Sequence, residues 1–385
     1  MRIAAIFDKY KGCLTSRQAA EAALLGARDT FPDAELCAYE CADGGDGMAE
    51  CLLAAGKGER IEAETVDALG RPLKAAYTLN TATREAYIDL AAASGVRHLA
   101  ESEKTPMKSS TFGTGLLIAD AAERGAATIW LGLGGSATND AGFGALQALG
   151  AEFFDGYGNL LPEPFCGEML KDVSSITLNK LRKKLKNTKI ILLCDVENPF
   201  TGPNGAVAVY SGQKGATEEM KRELEKGMLN AGRVMKNLGF TDVFQLPGAG
   251  AAGGAGGGFA ALAGAEIRRG AESLLQLTGA AEAIASSDII LTGEGHSDRQ
   301  TLCGKLPYAV MKCARAQGIP TLLLSGKITD ATAFLSVGFA AAKSINSPMK
   351  RDKTLAPGNP LSPTVAAGRL RQQTAALLSE IFENH

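Results

Sequence analysis

The chain has 385 residues, enough at roughly one domain per 150 residues for two domains that each bury a core. Forty Lys+Arg against 42 Asp+Glu leave a formal charge of −2, which excludes a field that would select nucleic acid or an anionic membrane surface. Hydrophobic residues at 45% and charged residues at 21% exclude disordered and fibrous classes.

Glycine is the compositional outlier, 46 residues against 14 Pro, as expected of many tight turns and close backbone approaches. Arg2–Phe7 reads as a buried strand ending at Asp8, and its apolar run is too short for a secretory leader or a membrane span. Ser16 is placed to cap a helix running to about Thr30, with Ala19, Ala22, Ala23 and Leu24 on its apolar face. Residues 60–89 change pattern, alternating polar and apolar around a turn at 68–72 as an antiparallel hairpin does; a second fold type begins there. Strand–turn–helix units follow at 128–133, 189–194 and 288–292, the alternation of an α/β protein. Helical patterns at 217–238 and Pro363–Phe382 are charged on one face and structural. Residues 243–265 carry no charge over the length of a membrane helix, but eight glycines between Gly248 and Gly264 give lipid little to gain. The stretch is read as a loop leading into a helix. No Ser/Pro-rich linker separates two halves, so one domain is expected to be inserted in the other.

The eight cysteines form no CxxC pair and there are only three histidines, so zinc modules, redox dithiols and His-rich metal sites are not indicated. A reduced, cytosolic protein is expected. Ligands of open parallel sheets sit at the carboxyl ends of strands, which selects six turns: 8–12, 42–47, 134–140, 194–199, 247–254 and 292–298. In GGSATND at 134–140, Gly134 and Gly135 free the backbone to turn, and Ser136, Thr138 or Asn139 can cap the following helix and aim N–H groups at a phosphate. The alternative is a tight strand–helix turn and nothing more. Gly248, Gly250 and Gly253 form a literal GxGxxG, with Glu272 at the distance of a ribose-binding acid. Packing glycines are the competing explanation there. Gly304-Lys305 is followed by Leu306, so no Walker A motif is present, and without GxSxG a nucleophile–His–acid triad is not expected of His98 or His296.

Phosphoryl transfer needs a divalent metal, a carboxylate to take the hydroxyl proton and cations against the transferred group. Asp43, Asp46, Asp195, Glu294 and Asp298 can supply the acids, and Lys11, Lys214 and Lys305 the cations. Helix caps and Asx-turns are the bland alternative for each Asp. Glu294, between two glycines straight after a strand, has the least structural work to do.

Taken in order, DKYKG at 8–12, ADGGDG at 42–47, SSTFGTG at 109–115, GGSATND at 134–140, CDVENPFTGPNGA at 194–206, QKGA at 213–216, PGAGAAGG at 247–254 and TGEGHSDRQT at 292–301 with Gly304-Lys305 make the chain resemble the bacterial type I glycerate kinase family over nearly its whole length. The resemblance implies two α/β domains: a discontinuous flavodoxin-like parallel-sheet domain at 1–65 plus 286–385, and an inserted mixed-sheet domain at 66–285, with the site in the cleft between them. It implies ATP-dependent phosphorylation of D-glycerate with Mg2+, at the 2-hydroxyl in preference to the 3-hydroxyl, by a cytoplasmic enzyme without nucleic-acid or membrane partners. The sequence leaves room for a homodimer.

On that resemblance Asp195 is expected to act as base, with Asp298 the rival for the part, and Lys11 to bind the substrate carboxylate or the transferring phosphate. Gly134, Gly135, Ser136, Thr138, Asn139 and Lys305 are expected to hold ATP phosphates. Asp8, Lys11, Ser110 and His296 are expected to contact glycerate, and Asp43 and Glu294 the metal. Phe7, Lys9, Met48, Gly212, His296 and Ser297 depart from the family pattern, Lys9 and His296 near the expected substrate contacts. Two rivals follow: a catalytically silent glycerate- and nucleotide-binding protein on the same fold, and a nicotinamide-linked oxidoreductase resting on the GAGAAG run.

Overall fold

The computed structural model describes residues 1–10, 12–41, 47–346 and 362–382. The chain divides into two compact units, Met1–Asp43 with Ala271–His385, and Gly44–Gly270.

The first unit is built on a five-stranded parallel sheet in the spatial order Ala341–Ser344, Thr321–Ser325, Ile289–Gly293, Arg2–Phe7, Glu35–Glu40. The central strands are continuous apolar runs because both faces are covered: Ile289–Gly293 and Thr321–Ser325 are buried throughout, and so is all of Arg2–Phe7 beyond Arg2. Numbered along the chain, the order is 2-1-3-4-5, the flavodoxin-like arrangement. The second strand lies on one side of the first and the remaining three on the other, so the order reverses between Arg2–Phe7 and Ile289–Gly293.

The helix Ser16–Thr30 begins as expected, but its cap is Thr15, whose side chain accepts the Gln18 N–H while Gln18 accepts the Thr15 N–H. This helix packs on Pro363–Phe382 at very short range. A Cβ on Gly26 would overlap the Arg371 carbonyl, and Arg371 donates from two guanidinium nitrogens to Asp29, at 2.6 and 2.7 Å. Ala19, Ala23 and Ala27 then meet Ile3, Leu291, Leu322, Leu370 and Leu378 in one core.

The second unit carries a six-stranded mixed sheet in the order Glu266–Arg268, Lys189–Leu193, Thr128–Gly132, Glu85–Asp89, Pro72–Asn80, Glu59–Val66. The first four run parallel, and the pattern change at 60–89 is the antiparallel edge, with Ala63 opposite Ala75. Phe143, Phe153 and Phe165 pack ring against ring in the same core, their centroids 4.5–5.4 Å apart.

The uncharged stretch ends in the helix Ala251–Ala263, and its glycines are packing devices. A Cβ at Gly253 would overlap the Thr138 carbonyl, one at Gly258 the Ala141 carbonyl and one at Gly250 the Pro199 carbonyl. Ala252, Gly253 and Gly254 turn through left-handed conformations, which lets the Gly253 carbonyl accept the Ala141 N–H at 3.1 Å. Thus the GxGxxG run lies backbone-to-backbone against its own domain, and Glu272 is paired with Lys312 at 2.8 Å. All eight cysteines are free thiols. Among the described residues, no helix is long and apolar enough to cross a membrane.

Candidate active site

In the first unit Asp8 and Glu294 leave neighbouring parallel strands at their carboxyl ends, where the strand order reverses. The strand pairing sets Phe7 opposite Gly293, and the Asp8 N–H donates to the Gly293 carbonyl at 2.9 Å. Gly293 is required there, since a Cβ would overlap the Leu324 carbonyl of the next strand.

Glu294 is 5% exposed, and Oε1 accepts hydrogen bonds from Ser297 Oγ at 3.0 Å and Thr301 Oγ1 at 2.5 Å. Oε2 stands 3.9 Å from Lys305 Nζ. Ser297 Oγ also lies 2.7 Å from Ser325 Oγ, and the Gly326 N–H donates to the Glu294 carbonyl at 3.0 Å. The sequence offered Glu294 little structural work, but the structure gives it some: its charge holds the turn at 294–301 together. The buried Tyr10 phenol feels the same region. Burial, and after it the Glu294 charge, push its pKa well above the usual tyrosine value, and its OH donates to the Leu324 carbonyl at 2.6 Å.

The rest of that turn is half open. Asp298 Oδ1 accepts the Gln300 N–H at 2.8 Å, an Asx-turn, and the exposed His296 ring lies 2.8 Å from Thr329 Oγ1. Lys305 stands at the start of the helix Leu306–Arg315. Glu294, His296, Asp298 and Lys305 are thus brought together with Asp8 in one unit. Lys11 and Asp43, and Asp46 with them, lie outside the described residues.

The second unit gathers Gly134, Gly135, Ser136, Thr138, Asn139, Ser110 and Asp195. After Thr128–Gly132 the loop runs inward, and Ser136 through Asp140 are buried, leaving Gly134 and Gly135 nearest the surface. None of Ser136, Thr138 and Asn139 caps the next helix. Gly142 holds the N-cap position, and Asp140, two residues before it, meets the opening amides, accepting the N–H groups of Gly142 at 3.1 Å and Gly144 at 3.2 Å, and both the N–H and the hydroxyl of Thr111 at 2.7 Å. Burial raises the Asp140 pKa against those bonds. The helix Phe143–Ala148 therefore has its first amides spoken for within the fold, Ala145 N–H by Thr111 Oγ1 at 2.8 Å. Ser110 is buried, its Oγ accepting the Phe112 N–H at 3.1 Å.

Lys214 enters this loop from the QKGA turn. It is 2% exposed, and Nζ donates to Ser136 Oγ at 2.8 Å and to the Thr138 carbonyl at 2.6 Å. Burial pulls its ammonium down to about 7, the Asp140 charge opposing this in part. The Asn139 amide and Thr138 Oγ1 are buried without a hydrogen-bond partner among the described residues, a cost of about 1–3 kcal/mol for each such group.

Asp195 follows Lys189–Leu193 at its carboxyl end, half-buried, with Oδ1 accepting the Gly270 N–H at 2.8 Å. Its neighbour Cys194 is pushed up to about 11 by burial, so that thiol is inert as a nucleophile.

One residue that sequence reasoning missed is Asp89. It is buried at the end of Glu85–Asp89, and its carboxylate accepts the N–H groups of Gly47, Met48 and Ala49 at 3.1–3.3 Å. It thereby anchors the helix Met48–Ala54, which opens directly after the ADGGDG motif of the sequence. An Asp closing an apolar strand was the available signal.

Glu294, with the Ser297 and Thr301 hydroxyls bonded to it, offers hard oxygen, which suits magnesium held by one or two carboxylates together with phosphate oxygens. Among the described residues no three His, Cys, Asp or Glu side chains are close enough to hold an ion by themselves.

Comparison with known proteins gives a consistent answer. The sequence profile of the glycerate kinase family matches residues 3–366. A Bacillus cereus protein named glycerate kinase is 39% identical over 329 residues, 86% of each chain. An Escherichia coli K12 protein named glycerate 2-kinase is 38% identical over 330 residues, again 86% of each chain. Among solved structures, one assigned as glycerate kinase 2 from Salmonella typhimurium LT2 superposes with a TM-score of 0.83 at 34% identity, covering 100% of this chain and 99% of that one.

Proposed function

The chain belongs to the glycerate kinase family, and from that premise we propose that it transfers the γ-phosphoryl group of ATP to the 2-hydroxyl of D-glycerate, releasing ADP and 2-phosphoglycerate. The observation that carries this reading is the pair Asp8 and Glu294, with Lys305 beside it, at the point of strand-order reversal where open parallel sheets bind their ligands. The name glycerate 2-kinase borne by the E. coli relative supports the choice of hydroxyl.

Both substrates are anions, so cations must meet them. Lys305 is the cation for the ATP phosphates, and Lys11 is the residue assigned to the glycerate carboxylate. Asp195 takes the 2-hydroxyl proton as that oxygen forms its bond to the γ-phosphorus and the bond to the β–γ bridging oxygen breaks. The hydrogen bond from the Gly270 N–H fixes the orientation of the Asp195 carboxylate at the strand end. Gly134 and Gly135 give phosphate oxygens a close backbone approach, while Lys214 holds the loop from behind through Ser136 Oγ and the Thr138 carbonyl. Magnesium, when bound with the nucleotide, neutralises phosphate charge, and Glu294 and Asp43 are the residues to hold it. Eight free thiols are in keeping with a cytosolic location.

The test is ADP release measured with ATP and magnesium, with and without D-glycerate. Release that depends on D-glycerate is expected. Binding of D-glycerate by thermal shift with no ADP formed would instead make the chain a silent binding protein, and Lys9 and His296 would be the residues to revert.

A further inference from the structure

Beside the turn that Glu294 organises, the first unit contains a cavity of about 300 Å3 opening between two loops. One loop, 298–302, follows the strand Ile289–Gly293; the other begins at Thr329, after its neighbour Thr321–Ser325, and runs into the helix Ala331–Val337 that carries Ala333 and Phe334. The cavity thus lies at the carboxyl ends of adjacent strands, one step along the sheet from Asp8 and Glu294.

Its lining is divided. Leu302, Ala333 and Phe334 form an apolar wall, and Phe334 is backed by Met311, Leu323 and Phe339 in a separate small core. Asp298, Asp330, Arg299 and Gln300 form the rim. The Arg299 guanidinium and the Gln300 amide make no hydrogen bond or ion pair among the described residues.

That combination discriminates between ligands. Two carboxylates repel the carboxylate of glycerate and the phosphates of a nucleotide alike. They accept hydrogen bonds from the N–H edge of a neutral heterocycle, whose flat faces need an apolar wall and a guanidinium to stack on. A three-carbon acid would leave most of this volume empty, whereas it falls at the lower end of the range for larger organic ligands.

We infer that the cavity lined by Leu302, Ala333 and Phe334 receives the purine base of the phosphoryl donor, with Asp298 and Asp330 reading its N–H edge. The inference rests on the donor being a nucleotide, as proposed above. It takes Asp298 out of the contest for general base and leaves that part to Asp195.

The test is equilibrium binding of trinitrophenyl-ATP, and its displacement by ATP, to the wild-type chain and to Ala333→Leu and Gln300→Ala, with thermal unfolding as the folding control. Ala333→Leu pushes a side chain into the cavity and should weaken ATP binding at least about tenfold. Gln300→Ala removes an exposed rim group and should weaken it less, so it serves if Ala333→Leu does not fold. The KM for D-glycerate should be unchanged in both. ATP affinity equal to wild type in the folded variants, or a rise confined to the glycerate KM, would overturn the assignment. Tight ATP binding that these variants weaken, in a chain that forms no phosphoglycerate, would leave the base site standing and remove the kinase reading.

Discussion

Lys214 is the residue with the largest consequence for so small a part of the chain. Its ammonium is bonded twice inside the GGSATND loop, yet burial lowers its pKa from 10.5 to about 7. Between those values the unfolded chain keeps a proton that the folded one has given up, so stability rises with pH across that interval, by up to about 1.4 kcal/mol per pH unit from this group. Below 7 both states hold the proton and the contribution is flat. Thermal unfolding of wild type and Lys214→Met from pH 6 to 9 should therefore show the wild type gaining on the variant above pH 7; a constant difference would contradict it. Asp195 is the test of chemistry at the same scale. Removing a general base typically costs on the order of 10²–10⁴ in rate, so Asp195→Asn should lose turnover in that range while ATP binding holds. Near-normal turnover in Asp195→Asn with collapse in Asp298→Asn would exchange their roles. The acids at 195, 294 and 298 were legible because each follows closely on an apolar run. The part played by Lys214 was not, since a lysine's burial depends on what folds over it and the QKGA turn carries no sign of Ser136 or Thr138.

Whole elements carry a different kind of information. The helix Ala251–Ala263 is apolar and glycine-rich because backbone must touch backbone, and Gly258 sits in helical conformation against the Ala141 carbonyl. Gly258→Ala should therefore destabilise by about 1–3 kcal/mol or more through overpacking. Gly368, exposed in Pro363–Phe382, should behave in the opposite sense, because a Cβ there would meet nothing within 4 Å. Gly368→Ala is expected to stabilise by about 0.4–1 kcal/mol; denaturant midpoints of the two variants check both signs. The same contrast explains what could be read in advance. Arg2–Phe7 and Ile289–Gly293 announced themselves as uninterrupted apolar runs, whereas the edge strands Glu35–Glu40 and Ala341–Ser344 are only partly buried and have mixed composition. Helix starts were harder: Thr15 rather than Ser16 is the cap, and Asp140 rather than Ser136, Thr138 or Asn139 meets the opening amides, because neighbouring residues offer the same chemistry and only backbone direction decides.

At the scale of the molecule, the 2-1-3-4-5 order of the first unit joins strands whose sequence positions are hundreds of residues apart. No local pattern predicts that Phe7 will lie opposite Gly293, so the meeting of Asp8 with Glu294 came from the motif series and not from periodicity. The second unit, Gly44–Gly270, is an uninterrupted segment of chain, and the first is made of the two segments on either side of it. Together these features make one chemical claim, that a carboxylate-flanked strand end serves phosphoryl transfer to a small hydroxy acid. Phosphorus NMR of the product formed from D-glycerate, ATP and magnesium tests it most directly. A new phosphomonoester signal split by a single proton is expected, as the 2-phosphate requires. Splitting by two protons would mean attack by the 3-hydroxyl, and the absence of any phosphomonoester would contradict the kinase assignment itself.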